Sequence, residues 1–247
     1  MSIIECKSLA NLQETREDCR RRNNHDQKSE APNLMSITKL KGRKAVSRSH
    51  KSTRKREAIA RAAIEVINAK SYALATMADI AAALELRDAT LYHYFPDKRA
   101  LAYACHRRSL SRFERLLHAT DNAGGCGEEK LRGFIRALLV DSVQHGPLLY
   151  FGDYSYLDAP QRKAISAWAD RLKDILVKFL KEGMVDGSVV QCEPELIVQL
   201  LLGMIIWLGK WAPSIEGLTV DRLMNAIDAF SFRGLDRGLP LSSTKRP

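Results

Sequence analysis

Long apolar runs are scarce in this chain of 247 residues. The longest, Leu196 to Gly209, holds 14 residues with Gln199 inside it, whereas a helix that crosses a bilayer needs about 18 or more. No compact apolar stretch follows a basic start at the N-terminus, so neither a secretory signal nor a membrane protein is expected. Cysteine is sparse too: Cys6, Cys19, Cys105, Cys126 and Cys192 include no CxxC pair. Free thiols in a reducing cytoplasm are expected, and a metal site is not, because ligand pairs at metal spacing are missing. No GxGxxG, HExxH, GxSxG or P-loop string occurs, so nothing points to catalysis or to a bound cofactor.

Acidic residues are missing from one place in particular. Residues 39–56 (KLKGRKAVSRSHKSTRKR) hold nine Lys or Arg and no Asp or Glu. Residues 39–115 carry 18 basic and 7 acidic side chains, a net +11, while residues 116–247 carry 15 and 16, a net −1. Such a concentrated excess attracts phosphates through counterion release, whatever the base sequence. It lacks the regular apolar stripe that would hold a helix in a lipid interface. Residues 1–50 otherwise read as a disordered basic extension, polar and without periodicity, and Met35 opens a second plausible start within it.

From Thr53 the pattern turns helical. Ile59, Ala63, Val66 and Ile67 recur at steps of three and four, with Ser52 or Thr53 as N-cap. A second helix opens at Thr76, answered three residues later by Asp79 in the manner of a capping box. A turn at Glu85-Leu86-Arg87 leads to a third, from Asp88 to Tyr94, which Pro96 stops. Two short helices so close together suggest a helix-turn-helix. Longer helices follow: Lys98 to about His118; a stripe of Leu131, Phe134, Ile135, Leu138 and Leu139 ended by Gly146-Pro147; and another running from Ile165 to Gly183. The penultimate helix, near 195–211, is apolar nearly all round, and the last spans about Val220 to Leu235. No strand-period segment of useful length appears, so the fold class is all-α.

The string TMADIAAALELRDATLYHYFPDKRAL at residues 76–101 resembles the DNA-binding domain of the TetR family of transcriptional regulators, most closely from Thr90 through Phe95 to Lys98 and Leu101. The GMVDG turn at 183–187 fits the same family in outline. The resemblance implies a head at 51–97, a ligand-binding and dimerisation body at 98–236, and a flexible tail at 237–247. It also implies a cytoplasmic homodimer, controlled by a small-molecule effector and bound to a palindromic double-stranded operator, with repression the commoner mode.

Carried onto this chain, the resemblance places Thr76 and Lys98 at phosphates, with Arg54 and Lys55 supporting them. Arg87, Asp88 and Ala89 would face base edges, and Thr90, Tyr92 and His93 would contact backbone and thymine methyls. Arg87 has the fork to reach guanine O6 and N7 together. Leu91 and Phe95 go to the core. Glu85 stands where the family commonly has glycine, a position that strains a side chain if φ is positive.

In the body, the candidates for a largely apolar effector pocket are Phe134, Leu138, Tyr150, Phe151 and Tyr154, together with Trp168, Leu172, Met204 and Trp207. Core packing is the competing reading for each. His145 is either a polar anchor or a cation at a helix C-terminus. Leu201 and Ile205 are expected to face a partner subunit. A nonspecific DNA-coating protein and an all-helical enzyme remain the alternatives; competition with random DNA separates the first from a sequence-reading regulator.

Overall fold

The protein is described by a computed structural model, over residues 43–149 and 154–232. Among the described residues there are α-helices and no strands. The head comprises α1 (Arg43–Lys70), α2 (Met77–Ala82) and α3 (Asp88–Tyr94). The body comprises α4 (Lys98–Ala123), α5 (Gly127–His145), α6 (Ala159–Asp186), α7 (Pro194–Trp211) and α8 (Val220–Ile227), the last continued by a π-helical turn at Asp228–Phe232.

α1 begins at Arg43, well before the expected Ser52 or Thr53 cap. Residues 43–56 contain neither glycine nor proline, and a run of Lys, Arg, Ala and Ser propagates a helix that the folded half nucleates. The last part of the expected disordered extension, from Arg43 on, is therefore helical. Residues 1–42 and 233–247, and with them the expected tail, lie outside the described residues.

The head closes around Ile59, Ala63, Ile64, Ile80 and Leu91, each essentially without exposure. Fully burying one such large side chain stabilises by roughly 1.5–3 kcal/mol. Leu101 and Cys105 at the start of α4 belong to this same core, and so does Leu149 from the loop after α5. Further along α4, Leu110, Phe113 and Leu117 pack into the body. The boundary expected at residues 97 and 98 is thus not a gap in packing: one helix is shared by both cores.

α6 runs past the expected stop at Gly183 and ends at Gly187, whose left-handed φ of 80° needs no Cβ. Gly183 serves another purpose. A Cβ on Gly127 would collide with the Gly183 nitrogen and the Phe179 carbonyl, and one on Gly183 would lie 2.5 Å from a methyl of Val189. The two glycines let the start of α5 approach the end of α6 backbone to backbone.

A buried guanidinium fixes the other end of α5. Arg112 of α4 donates to the Asp141 carboxylate through Nε at 2.9 Å and Nη2 at 2.5 Å, and to the Gly146 carbonyl at 2.8 Å. His145 Nδ1 sits 2.9 Å from the same carboxylate.

Candidate nucleic-acid interface and effector cavity

Sequence dictates the shape of the head at three points. The Thr76 hydroxyl accepts from the Asp79 amide at 3.0 Å while the Thr76 amide donates to Asp79 at 2.9 Å, so the expected capping box is present. Lys70 Nζ joins Asp79 at 2.8 Å. These bonds, led by the one from Lys70, hold the Asp79 carboxyl down to about 2. Glu85 adopts φ 54° in the turn between α2 and α3, the left-handed conformation for which glycine is the usual choice. Arg87 is the N-cap residue of α3, in extended backbone.

α3 then divides cleanly. Leu91 and Phe95 are buried in the head core, as expected. Arg87, Asp88, Ala89, Tyr92 and His93 are exposed, with Tyr92 at 50% despite its size, and Thr90 is half-buried. Arg54 is exposed and Lys55 half-buried on α1, and Thr76 is exposed at the start of α2.

Lys98 is held from the inside. Its ammonium donates to the carbonyls of Tyr72 and Ala75, both at 2.9 Å, and lies 4.4 Å from the Tyr72 ring centre. Two of its three donors thus pin α4 to the turn between α1 and α2, so it positions the head. Arg56 went unnoticed in the sequence. Its guanidinium stands 5.3 Å from the Phe95 ring centre and 6.0 Å from that of Tyr94, a cation–π contact from α1 to α3. No sequence spacing reports a contact between separate helices.

Among the described residues of the body, two adjoining hollows bear on the pocket candidates. The larger, about 450 Å³, lies between α5, α7 and the segment at 212–223, and Leu138 lines it. The smaller, about 290 Å³, lies between α4, α6 and α7, and Tyr154 and Leu172 line it. Phe113 and Ile206 line both, so the hollows adjoin at these two side chains. Burial raises the Tyr154 phenol to about 12, with a smaller contribution from Asp170, so it stays a neutral hydroxyl at neutral pH.

The other pocket candidates lie elsewhere. Phe134 is core, edge-on to Phe113 with ring centres 4.8 Å apart. Trp168 lines neither hollow and donates its indole N–H to Glu114 at 3.1 Å. Met204 lines neither, with Ser231 Oγ 3.8 Å from its sulfur. Trp207 is 59% exposed on the outer side of α7. His145 pairs with Asp141 and lines neither hollow. Tyr150 and Phe151 lie outside the described residues. The polar lining of the smaller hollow was missed: Ser166, Asp170 and Lys173 sit on a helix face that reads as solvated, and Gln199 is a lone polar residue within an apolar run. It also missed Leu148, Ile215 and Leu218, which lie in loops where helical periodicity carries no information.

α7 is apolar on two sides, as expected, but the side expected to face a partner is not the exposed one. Leu201 and Ile205 are buried in their own subunit, while Leu196, Leu200 and Trp207 form an exposed stripe at steps of four and seven. Phe230, in the π-helical turn, is 80% exposed.

A helix-turn-helix with an exposed second helix, tied by one long helix to a hollow helical body, defines a transcription regulator with separate DNA-binding and ligand-binding parts. Residues 59–105 match the family model described as bacterial regulatory proteins, tetR family, and residues 124–234 match that of the tetracyclin repressor-like C-terminal domain. The chain belongs to the TetR family of transcriptional regulators, which are transcription factors and not enzymes. No curated protein matches it significantly in sequence.

Similar solved structures share the fold. AibR in complex with isovaleryl coenzyme A and operator DNA is 22% identical, with a TM-score of 0.60, over 70% of this chain and 95% of that one. The regulator PfmR from Thermus thermophilus is 24% identical, with a TM-score of 0.57, over 73% and 96%. The ketosteroid regulator KstR2 of Mycobacterium tuberculosis is 16% identical, with a TM-score of 0.64, over 74% and 95%. Among the described residues no helix is long and apolar enough to cross a membrane.

Proposed function

We propose that the protein is a ligand-responsive repressor that binds a palindromic operator in the cytoplasm as a homodimer. The observation that carries this reading is α3 itself. Leu91 and Phe95 anchor it from below, so Arg87, Tyr92 and His93 are presented to solvent from a rigid base. In a helix-turn-helix, the leading residues of the second helix reach base edges in the major groove. Arg87 supplies the bidentate donor, and Thr76, Arg54 and Lys55 lie on neighbouring elements suited to phosphate contacts.

The exposed stripe of α7 supports a two-fold dimer, because Leu196, Leu200 and Trp207 need a cover and an isologous partner offers the same patch in return. Two heads then read two half-sites. The effector is a small and largely apolar molecule held in the hollows of the body; AibR in complex with isovaleryl coenzyme A and operator DNA, on the same fold, supports the pairing of a small molecule with DNA. The effector relieves repression if it binds the DNA-incompetent dimer more tightly than the competent one.

DNase footprinting on the DNA upstream of the gene tests the reading. Protection of two symmetric half-sites is expected, lost in Arg87→Ala. Uniform protection along the fragment would show a nonspecific coat instead.

A further inference from the structure

The two hollows differ in chemistry, and we propose that together they take an amphiphile whose polar end is uncharged: a hydrocarbon group bearing an ester, ketone or hydroxyl, and not a free carboxylate. This rests on the effector reading above and goes one step beyond it, to the charge state of the ligand.

The larger hollow admits only hydrocarbon. No charged side chain lines it; its walls include Leu138, Leu139, Leu148, Ile205, Leu208 and Leu223, with Ser142 and Thr219 as the side-chain hydroxyls. An ion there would lose its hydration without a partner, which is far more costly than burying a hydrogen-bonded neutral group.

The smaller hollow is also mostly apolar, with Leu110, Phe113, Leu172 and Leu202 in its walls, but unlike the larger it has a charged side, and that side is electrically balanced. Lys173 is the single cation in its lining, and its Nζ lies 2.7 Å from Asp170 Oδ1. The other Asp170 oxygen is 3.5 Å from the Ser166 hydroxyl. The cation that a carboxylate would require has Asp170 beside it in a half-exposed pair, so an incoming carboxylate would also meet a like charge. What remains for a ligand are neutral groups: the Tyr154 phenol and the Gln199 amide. These donate to a carbonyl or exchange hydrogen bonds with a hydroxyl.

Phe113 and Ile206 line both hollows, so they form the sill that a ligand reaching from one hollow to the other must cross. The hydrocarbon lies on the Leu138 side and the polar group on the Tyr154 side.

Three probes of equal chain length test this on the full-length protein: decanol, methyl decanoate and sodium decanoate, followed by calorimetric titration and thermal unfolding. The two neutral probes should raise Tm and bind at least about tenfold more tightly than the carboxylate, a difference of about 1.4 kcal/mol. Asp170→Asn frees Lys173 and should bring decanoate to within about threefold of the neutral probes. Ile206→Trp fills the sill and should weaken both neutral probes without lowering the Tm of the unliganded protein.

Equal binding of decanoate and decanol by the wild type overturns the inference, as does the absence of any binding. Unchanged affinities in Ile206→Trp overturn the placement across both hollows. Neutral probes that bind as described, but leave the protein on its promoter DNA, uphold the inference and refute the effector reading beneath it.

Discussion

The side-chain amide of Asn68, in α1, donates to the carbonyl of Leu148 at 2.8 Å, and Leu148 lines the larger hollow of the body. The next residue, Leu149, lines the same hollow and is also buried in the head core, with its amide donating to the Ser109 hydroxyl of α4 at 2.9 Å. One short segment is thus a wall of the larger hollow and a wedge in the DNA-binding head. Removing the amide in Asn68→Ala should cost about 1 kcal/mol and lower the hydrogen-exchange protection of the Leu149 amide. Any compound that releases the wild type from DNA should release this variant less. Unaltered exchange at Leu149 would mean that the contact does not hold the wedge.

Arg87→Ala should lose about 1–3 kcal/mol of discrimination between operator and random DNA, while circular dichroism remains that of the wild type. Arg87 touches solvent and makes no side-chain cap bond to α3, so its removal leaves the helix standing. Full operator affinity in the variant would remove it from the reading face.

Strong acid should weaken the turn that carries α2. The Asp79 carboxyl is held at about 2, below its ordinary 3.8, chiefly by Lys70 and then by Thr76. A depressed folded pKa contributes stability that is fully present above the unfolded value and is lost as pH falls through the folded one. The stability difference between wild type and Asp79→Asn should therefore be flat above pH about 4 and shrink between about 4 and 2. Urea unfolding across that window, with carboxyl NMR on Asp79, checks the sign. A difference that grows on acidification contradicts it.

The two faces of α7 separate two kinds of variant. Leu200→Glu and Trp207→Glu place charge on the exposed stripe, so sedimentation should report folded monomers with weakened DNA binding. Leu201→Glu and Ile205→Glu place it in the subunit's own core and should unfold the body, at a cost of several kcal/mol for an unpaired buried charge. Dimers that survive both outer changes would locate the interface elsewhere.

Gly127→Ala should destabilise by about 1–3 kcal/mol through overpacking, since the added Cβ meets backbone of α6 and not a side chain that could turn away. Gly203→Ala is the control: nothing lies within 4 Å of a Cβ there. A Tm for Gly127→Ala equal to that of the wild type would show that α5 and α6 part easily.

What the sequence made legible follows from the range of each signal. Local signals held: the Thr76–Asp79 box, Pro96 after α3, the burial of Leu91 and Phe95, and the strained Glu85 position are all settled within a few residues of chain. Contacts between helices were not legible. Lys98 reads as a free cation until the carbonyls of Tyr72 and Ala75 are brought to it, and Gly183 reads as a stop until Gly127 is laid against it. An all-round apolar helix announces two burials without saying which side is whose, so Leu201 and Ile205 read as partner-facing although their own subunit buries them. The pocket fared least well, because a hollow is defined by what is missing between helices, and its polar rim looks like any solvated face.

The central claim, that this helical head reads DNA sequence, is tested most directly by equilibrium competition. Labelled duplex from the gene's own promoter is bound by purified protein, then challenged with unlabelled promoter duplex or with a scrambled duplex of equal length and composition, at several salt concentrations. A sequence-reading dimer predicts that the promoter competes at least about a thousandfold better than the scramble, with both affinities falling as salt rises. Equal competition by the two duplexes at every salt concentration would contradict it.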